Sequence, residues 1–373
     1  MHIAPFATEQ YYALYEFSTP HMLSSSDCET MSVGEVLELA GMSLDGLSAL
    51  RLGYTESPGH PELRAAVASG YGQISPEQVV VLTSPVEGIY LVMRALLEPG
   101  DEVVVLSPAY DALRNMAEHV AGRVQTWTLT PTENGWRLDL EALAQMVSER
   151  TKLVVVNFPN NPTGHLPTPA EFQSLIDLCA RHGTWLFCDE MYRGLEFGVM
   201  ERLTSAADLY ERAIVLSGLS KTHGLPGLRA GWLLVRDEPI RQALLNWKYY
   251  TTICPAAPTE LLSIAALAAG ERIMDRNKAL IRQNIALVEP FFERWSDRFT
   301  WRRPRAGSVA LVGLEAPSAT EYCHNLAQTA GVLLLPGTFM GYEDRYVRFG
   351  FGRAGFAAAL ERYEAELEGT EWN

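Results

Sequence analysis

Lys152-Leu153-Val154-Val155-Val156-Asn157 runs directly into Phe158-Pro159-Asn160-Asn161-Pro162-Thr163-Gly164. The first six residues are apolar nearly throughout and bounded by turn formers, the pattern of a short strand buried on both faces. The two prolines and the glycine that follow fix a tight, non-helical turn, which presents Asn161 at the strand exit.

The same unit recurs on either side. Strands are expected at Val79–Leu82, Glu102–Leu106, Val124–Leu129, Lys152–Asn157, Thr184–Cys188, Ala213–Ser217 and Gly231–Val235. Amphipathic helices are expected between them, over Pro61–Tyr71, Glu87–Leu97, Leu138–Val147 and Pro169–Arg181. Apolar strands alternating with helices predict an α/β fold, its large domain a mostly parallel seven-stranded sheet sandwiched by helices. Beyond residue 240 long helices dominate, with short strands at Ser308–Leu314 and Tyr346–Gly350, which reads as a smaller α+β domain. The first 45 residues offer no strand to the large sheet and are expected to pack beside the C-terminal part. The expected division is a large domain over 46–245 and a discontinuous small domain over 1–45 and 246–373.

Composition narrows the function. The chain has 373 residues, 47% hydrophobic and 20% charged, which suits a globular protein with a sizeable core. Its formal charge of −15 opposes broad electrostatic binding to nucleic acid. There is no run of about 18 apolar residues to span a membrane and no basic, then apolar, leader, so a cytoplasmic protein is expected. The five cysteines are odd in number, far apart and free of CxxC pairs, which suggests reduced buried thiols and neither a disulfide framework nor a zinc site. Only Lys152, Lys221, Lys248 and Lys278 could supply a reactive amine.

Ligands of parallel α/β sheets bind beyond the carboxyl ends of the strands. The residues that follow three successive strands are Asn161, then Asp189-Glu190-Met191-Tyr192, then Ser220-Lys221 leading to Gly227-Leu228-Arg229. Each has a plain role on its own, as a turn, a helix cap, a solvated lysine or a surface ion pair. Together they put an amide, a carboxylate, a phenol, an amine and a guanidinium on one sheet edge.

These segments, with Gly53–Arg64 near the start, resemble the class I/II aminotransferases of the fold-type-I pyridoxal-phosphate family over essentially the whole chain. The resemblance implies that Lys221 binds pyridoxal 5'-phosphate as a Schiff base and moves the substrate Cα proton. It implies Asp189 against the pyridine nitrogen and Tyr192 and Asn161 on the phenolic oxygen. Arg229 would hold the phosphate and Tyr110 would stack on the ring. Arg348, with Asn161 beside it, would hold the substrate α-carboxylate. Tyr54 would reach the neighbouring subunit's cofactor, so a homodimer is implied.

The chain departs from the family pattern at the phosphate. Ser84-Pro85-Val86 stands where relatives carry Gly-Ala-Ser/Thr, and Gly218 stands where they carry serine. Pro85 has no N–H and Val86 no hydroxyl. Ser84, the helix start at Val86, Ser217 and Ser220 are the candidate substitutes, and the cofactor is still expected to bind. Ser24–Glu29, with Glu9 and Glu16 upstream, reads as solvated or capping charge, or as an acidic wall for a cationic side chain. Arg302, Arg303 and Arg305 read as surface charge. The expected activity is amine transfer from an L-amino acid to a 2-oxo acid. The alternative is elimination with cyclisation of a hydroxylated guanidino amino acid, as in similar enzymes that start from the same Cα deprotonation.

Overall fold

The computed structural model describes residues 3–198 and 202–369. All seven expected strands are present, each within one residue of its expected bounds: β1 Val79–Leu82, β2 Glu102–Ser107, β3 Arg123–Thr128, β4 Thr151–Asn157, β5 Trp185–Asp189, β6 Ala213–Gly218 and β7 Gly231–Val235. Across the sheet they run β1-β7-β6-β5-β4-β2-β3. β7 is antiparallel to β1 and β6, and every other pair is parallel. The carboxyl ends of β4, β5 and β6 therefore open on one edge.

Helices cover both faces. The helix Pro85–Leu96 starts directly after β1, with Ser84 as N-cap and proline at the first helical position. A Cβ on its Gly88 would come 2.7 Å from both Leu82 Cδ1 and Leu216 Cδ1, so glycine lets this helix approach the sheet closely. On the other face, Pro169–His182 starts with a Thr168/Glu171 capping box and ends at Gly183 in the left-handed conformation.

The C-terminal part builds a four-stranded antiparallel sheet from Phe299–Thr300, Val309–Leu314, Tyr346–Gly350 and Leu335–Pro336. The helices Gly270–Arg294, Ala319–Thr329 and Phe356–Gly369 contribute to the same core. The N-terminal segment joins this part, since His21–Met22 pairs parallel with Val332–Leu333 and Tyr11 is buried in that core. One portion of the expected small domain packs elsewhere. Val36 and Leu37 of helix Val33–Ala40, and Leu262, Ala265 and Ala266 of helix Ala257–Ala268, sit in the hydrophobic cluster of the large sheet. Their apolar faces meet each other beside that sheet, and burial follows packing rather than chain order. We propose a division that follows these clusters and moves both helices to the large domain. Among the described residues, no helix is long and apolar enough to cross a membrane and no side-chain group has the composition of a metal site.

Candidate active site

A cleft of about 730 Å³ opens at the carboxyl ends of β4, β5 and β6 and is closed over by residues 6–27 and Arg348. Its floor is fixed by backbone bonds from side chains. Asn157 and Asp189, the last residues of β4 and β5, are register partners, and Asn157 Nδ2 donates to the Asp189 carbonyl at 2.9 Å. Asn157 Oδ1 accepts from the Asn161 backbone N–H at 2.7 Å. Asn160 Oδ1 accepts from the Thr163 N–H and hydroxyl, and its Nδ2 donates to the Pro108 carbonyl. Asn160 thus locks the turn, which frees Asn161 to face the cleft.

Asp189 is 6% exposed, and its carboxylate accepts the Met191 N–H at 3.0 Å. Burial pushes its pKa up to about 7, against the lowering effects of the Met191 bond and Lys221. Lys221 follows β6 and donates from Nζ to Ser26 Oγ at 2.8 Å. Burial depresses its pKa, opposed by Asp27. The hydroxyls of Tyr192 and Ser220 line the same cleft, buried and without a hydrogen-bond partner. Buried polar groups are normally paired, so these two hydroxyls and the Asp189 carboxylate, held by a single backbone N–H, suit a polar ligand lying across them.

At the other end, Arg348 is 1% exposed on strand Tyr346–Gly350. Its Nε and Nη2 donate to the Ser24 carbonyl at 3.2 and 2.8 Å, and Nη1 donates to Asn161 Oδ1 at 3.0 Å. Nη2 also reaches the Tyr12 hydroxyl at 2.6 Å, and Nη1 reaches Met340 Sδ at 3.8 Å. None of these acceptors carries a negative charge. A buried guanidinium among neutral acceptors is a site for an anion.

Arg229 sits at φ 50°, and its Nη2 donates to Ser84 Oγ at 2.9 Å. Ser84 Oγ also accepts from the Val86 N–H at 3.3 Å. Arg229, Ser84 and Val86 therefore cluster at the start of the Pro85–Leu96 helix, where the backbone dipole attracts anions. Ser217 does not line the cleft, while Ser220 does. Gly218 has a steric cause: a Cβ there would lie 2.8 Å from the Ala230 carbonyl oxygen and 3.0 Å from Pro85 Cγ. Two of the three departures from the expected phosphate pattern, Pro85 and Gly218, pack against each other.

Tyr110 lines the cleft and donates its hydroxyl to Glu9 at 2.7 Å. Tyr54 is 91% exposed and does not line the cleft of its own chain. Reading Ser24–Glu29 as solvated charge is corrected in part. Ser24, Ser25, Ser26 and Asp27 are buried, because Asp27 pairs with Arg353 at 2.8 Å and Ser26 and Ser25 pack under strand Tyr346–Gly350 and its neighbour. Glu29 is partly exposed, and its carboxylate accepts from the Ala354 N–H just ahead of the helix Phe356–Gly369. Arg302, Arg303 and Arg305 bond to Thr132, Glu289 and Leu166, away from the cleft. Tyr12, Phe6 and Arg353 line the cleft without having been legible in the sequence, since no motif marks them.

The model for aminotransferase class I and II matches residues 22–365. The chain belongs to that family. Capreomycidine synthase from Streptomyces vinaceus is 33% identical over 333 residues, covering 88% of this chain and 84% of that protein. Aspartate aminotransferase from Thermotoga maritima is 28% identical over 335 residues, 85% of this chain and 82% of that protein. The crystal structure of a PLP-dependent aminotransferase from Streptococcus suis superposes with a TM-score of 0.92 at 28% identity, over 100% of both chains. The fold is pyridoxal-phosphate fold type I, and the cofactor is pyridoxal phosphate. The site fits it: an amine, a buried carboxylate, two unpaired hydroxyls and an arginine at a helix start all face one cleft.

Proposed function

We propose that the protein is a pyridoxal-phosphate-dependent aminotransferase that passes the amine of an L-amino acid to a 2-oxo acid, as a cytoplasmic homodimer. The observation that carries this is the placing of Lys221, Asp189 and the buried Arg348 around one cleft. When bound, pyridoxal phosphate supplies a conjugated ring that accepts the electrons released at the substrate Cα. Asp189 keeps a proton on the ring nitrogen. Because Asn161 Oδ1 is taken by Arg348, its amide N–H is the end left to donate to the phenolic oxygen, beside the Tyr192 hydroxyl. Arg229, Ser84, Ser220 and the helix start at Val86 would hold the phosphate, and Tyr110 would stack on the ring. Lys221 would hold the cofactor through its amine and would take the proton from the substrate Cα. Arg348 grips the α-carboxylate.

The homodimer is supported by Leu52 and Tyr54, two large side chains close together in the chain that are each more than four-fifths exposed. Tyr54 then completes the partner's phosphate site. Five unpaired cysteines suit a reducing cytoplasm.

A second reading is supported by the 33% identity to capreomycidine synthase and by Glu9, Glu16 and Asp27 in the cleft lining. It is cyclising elimination on a hydroxylated guanidino amino acid. One experiment separates the two. The yellow enzyme is mixed with a panel of amino acids, with and without guanidino groups, and no 2-oxo acid. Stoichiometric conversion of the cofactor to its amine form, reversed by a 2-oxo acid, is expected. A cyclised product with the cofactor unchanged selects the second reading.

A further inference from the structure

We propose that Tyr12 is a positioning residue for substrate carboxylate binding, acting through Arg348. The proposal rests on the reading of Arg348 as the carboxylate site.

A guanidinium has five N–H donors in a fixed fork. In Arg348 all five are committed: Nε and one Nη2 hydrogen to the Ser24 carbonyl, two Nη1 hydrogens to Asn161 and Met340, and the last Nη2 hydrogen to Tyr12. The Nε side of the fork is occupied by a main-chain carbonyl, which holds it against the N-terminal segment. A bidentate carboxylate needs the far edge, where one Nη1 and one Nη2 hydrogen point forward together, and there it shares the Nη2 hydrogen with the Tyr12 hydroxyl. Two acceptors with very different holds meet the fork outside the Ser24 carbonyl and Asn161. The thioether contact at 3.8 Å is weak, and the Tyr12 contact at 2.6 Å is the shortest that Arg348 makes.

Tyr12 is itself anchored. Its hydroxyl donates to the Ser24 carbonyl at 2.9 Å, with Ser24 Oγ also within 3.2 Å. The same carbonyl thus receives both Arg348 and Tyr12, and the three groups close a ring of hydrogen bonds. That ring sets the plane of the guanidinium and links it to the helix Ala7–Tyr15, which the buried Tyr11 fastens to the C-terminal core through a bond to the Cys323 carbonyl. Tyr12 also lines the cleft, so its hydroxyl borders the space the carboxylate enters. Without it, one guanidinium hydrogen loses its acceptor and the fork can rotate about its remaining bonds. The carboxylate would then have to order the arginine on arrival.

The test uses holoenzyme. Calorimetric titration with propanoate, a carboxylate without an amine, gives a Kd, and steady-state kinetics give KM and kcat for an amino acid and a 2-oxo acid. In Tyr12→Phe the propanoate Kd and both KM values should rise about tenfold, the equivalent of about 1.4 kcal/mol, while kcat stays within about twofold. Propylamine, which has no carboxylate, should react with the cofactor equally in both proteins. Unchanged Kd and KM, or a fall in kcat with KM unchanged, overturns the role of Tyr12. Arg348→Lys keeps the failures apart. If it leaves propanoate binding intact, the reading of Arg348 is what fails. If it weakens propanoate and Tyr12→Phe does not, only the present inference fails.

Discussion

The two ends of the cleft stand in opposite states. Around Arg348 every donor has an acceptor in the protein and the arginine is ordered before any ligand arrives. Around Asp189 the polar groups are buried without enough partners: the Tyr192 and Ser220 hydroxyls have none, and the carboxylate has one backbone N–H. The first end is built to recognise a group that comes and goes each turnover. The second is completed by a resident cofactor, because leaving buried polar atoms unpaired costs about 1–3 kcal/mol each unless something fills the site.

The largest effect that could break this contrast is at Lys221. Lys221→Ala removes the amine that moves the Cα proton, and turnover should fall by about 10²–10⁴-fold, measured with an amino acid and 2-oxo acid pair. Full activity in that variant would remove the basis for the whole ring end. Arg348→Lys sharpens the other side. A point charge replaces a planar fork, so KM for both substrates should rise by about 100-fold while cofactor absorbance is retained.

The ring end was the more legible of the two in the sequence, for a physical reason. Asn161, Asp189 and Lys221 each follow an apolar strand, and a parallel sheet brings successive strand ends to one edge. The strands themselves follow from their continuous burial. The substrate end draws on residues distant in sequence that lie in no such pattern. Tyr12 comes from a short N-terminal helix and meets Arg348 only through tertiary packing. Ser24–Asp27 stood out as hydroxyl-rich and acidic, yet their burial depends on Arg353 and on the strand at Tyr346–Gly350. The packing of the helices Val33–Ala40 and Ala257–Ala268 with the large-sheet cluster was not legible for the same reason: an amphipathic face says that it is buried, and not against what.

The strain at the ring end should also appear as pH dependence. With cofactor removed, Asp189 has a folded pKa near 7 and an unfolded value near the usual 3.9. The folded protein therefore holds the extra proton between these values, and this group's contribution to stability falls as pH rises through that window. Each unit of the shift corresponds to about 1.4 kcal/mol. Asp189→Asn, which stays neutral, should shift the pH slope of the thermal midpoint of the cofactor-free protein upward between about pH 4 and 7, whatever its net sign, because His165 and His223, both held down to about 4 by burial, oppose the carboxylates in that window. Asp111, raised by burial to about 6, declines in the same direction and should remain in the variant's residual slope. An unchanged profile would show that Asp189 is ionised and solvated without cofactor, and the contrast with Arg348 would fail.

The smallest expected effect tests whether the unusual phosphate end is a weakened cup or a repacked one. Gly218→Ser introduces the serine that the resemblance leads one to expect there, but its Cβ would meet Pro85 Cγ at 3.0 Å and the Ala230 oxygen at 2.8 Å. Overpacking of this kind costs about 1–3 kcal/mol, so the single variant should melt earlier. Pro85→Ala removes the ring that crowds the site and returns an N–H to the helix start. If the two positions form one unit, the double variant should recover part of the loss, and a double-mutant cycle should give a non-zero coupling. Additive losses would mean that the backbone of Ala230 and Gly231 excludes the serine without help from Pro85. In that case Pro85 needs a separate explanation, because it would then forgo a phosphate donor without the packing gain that links it to Gly218.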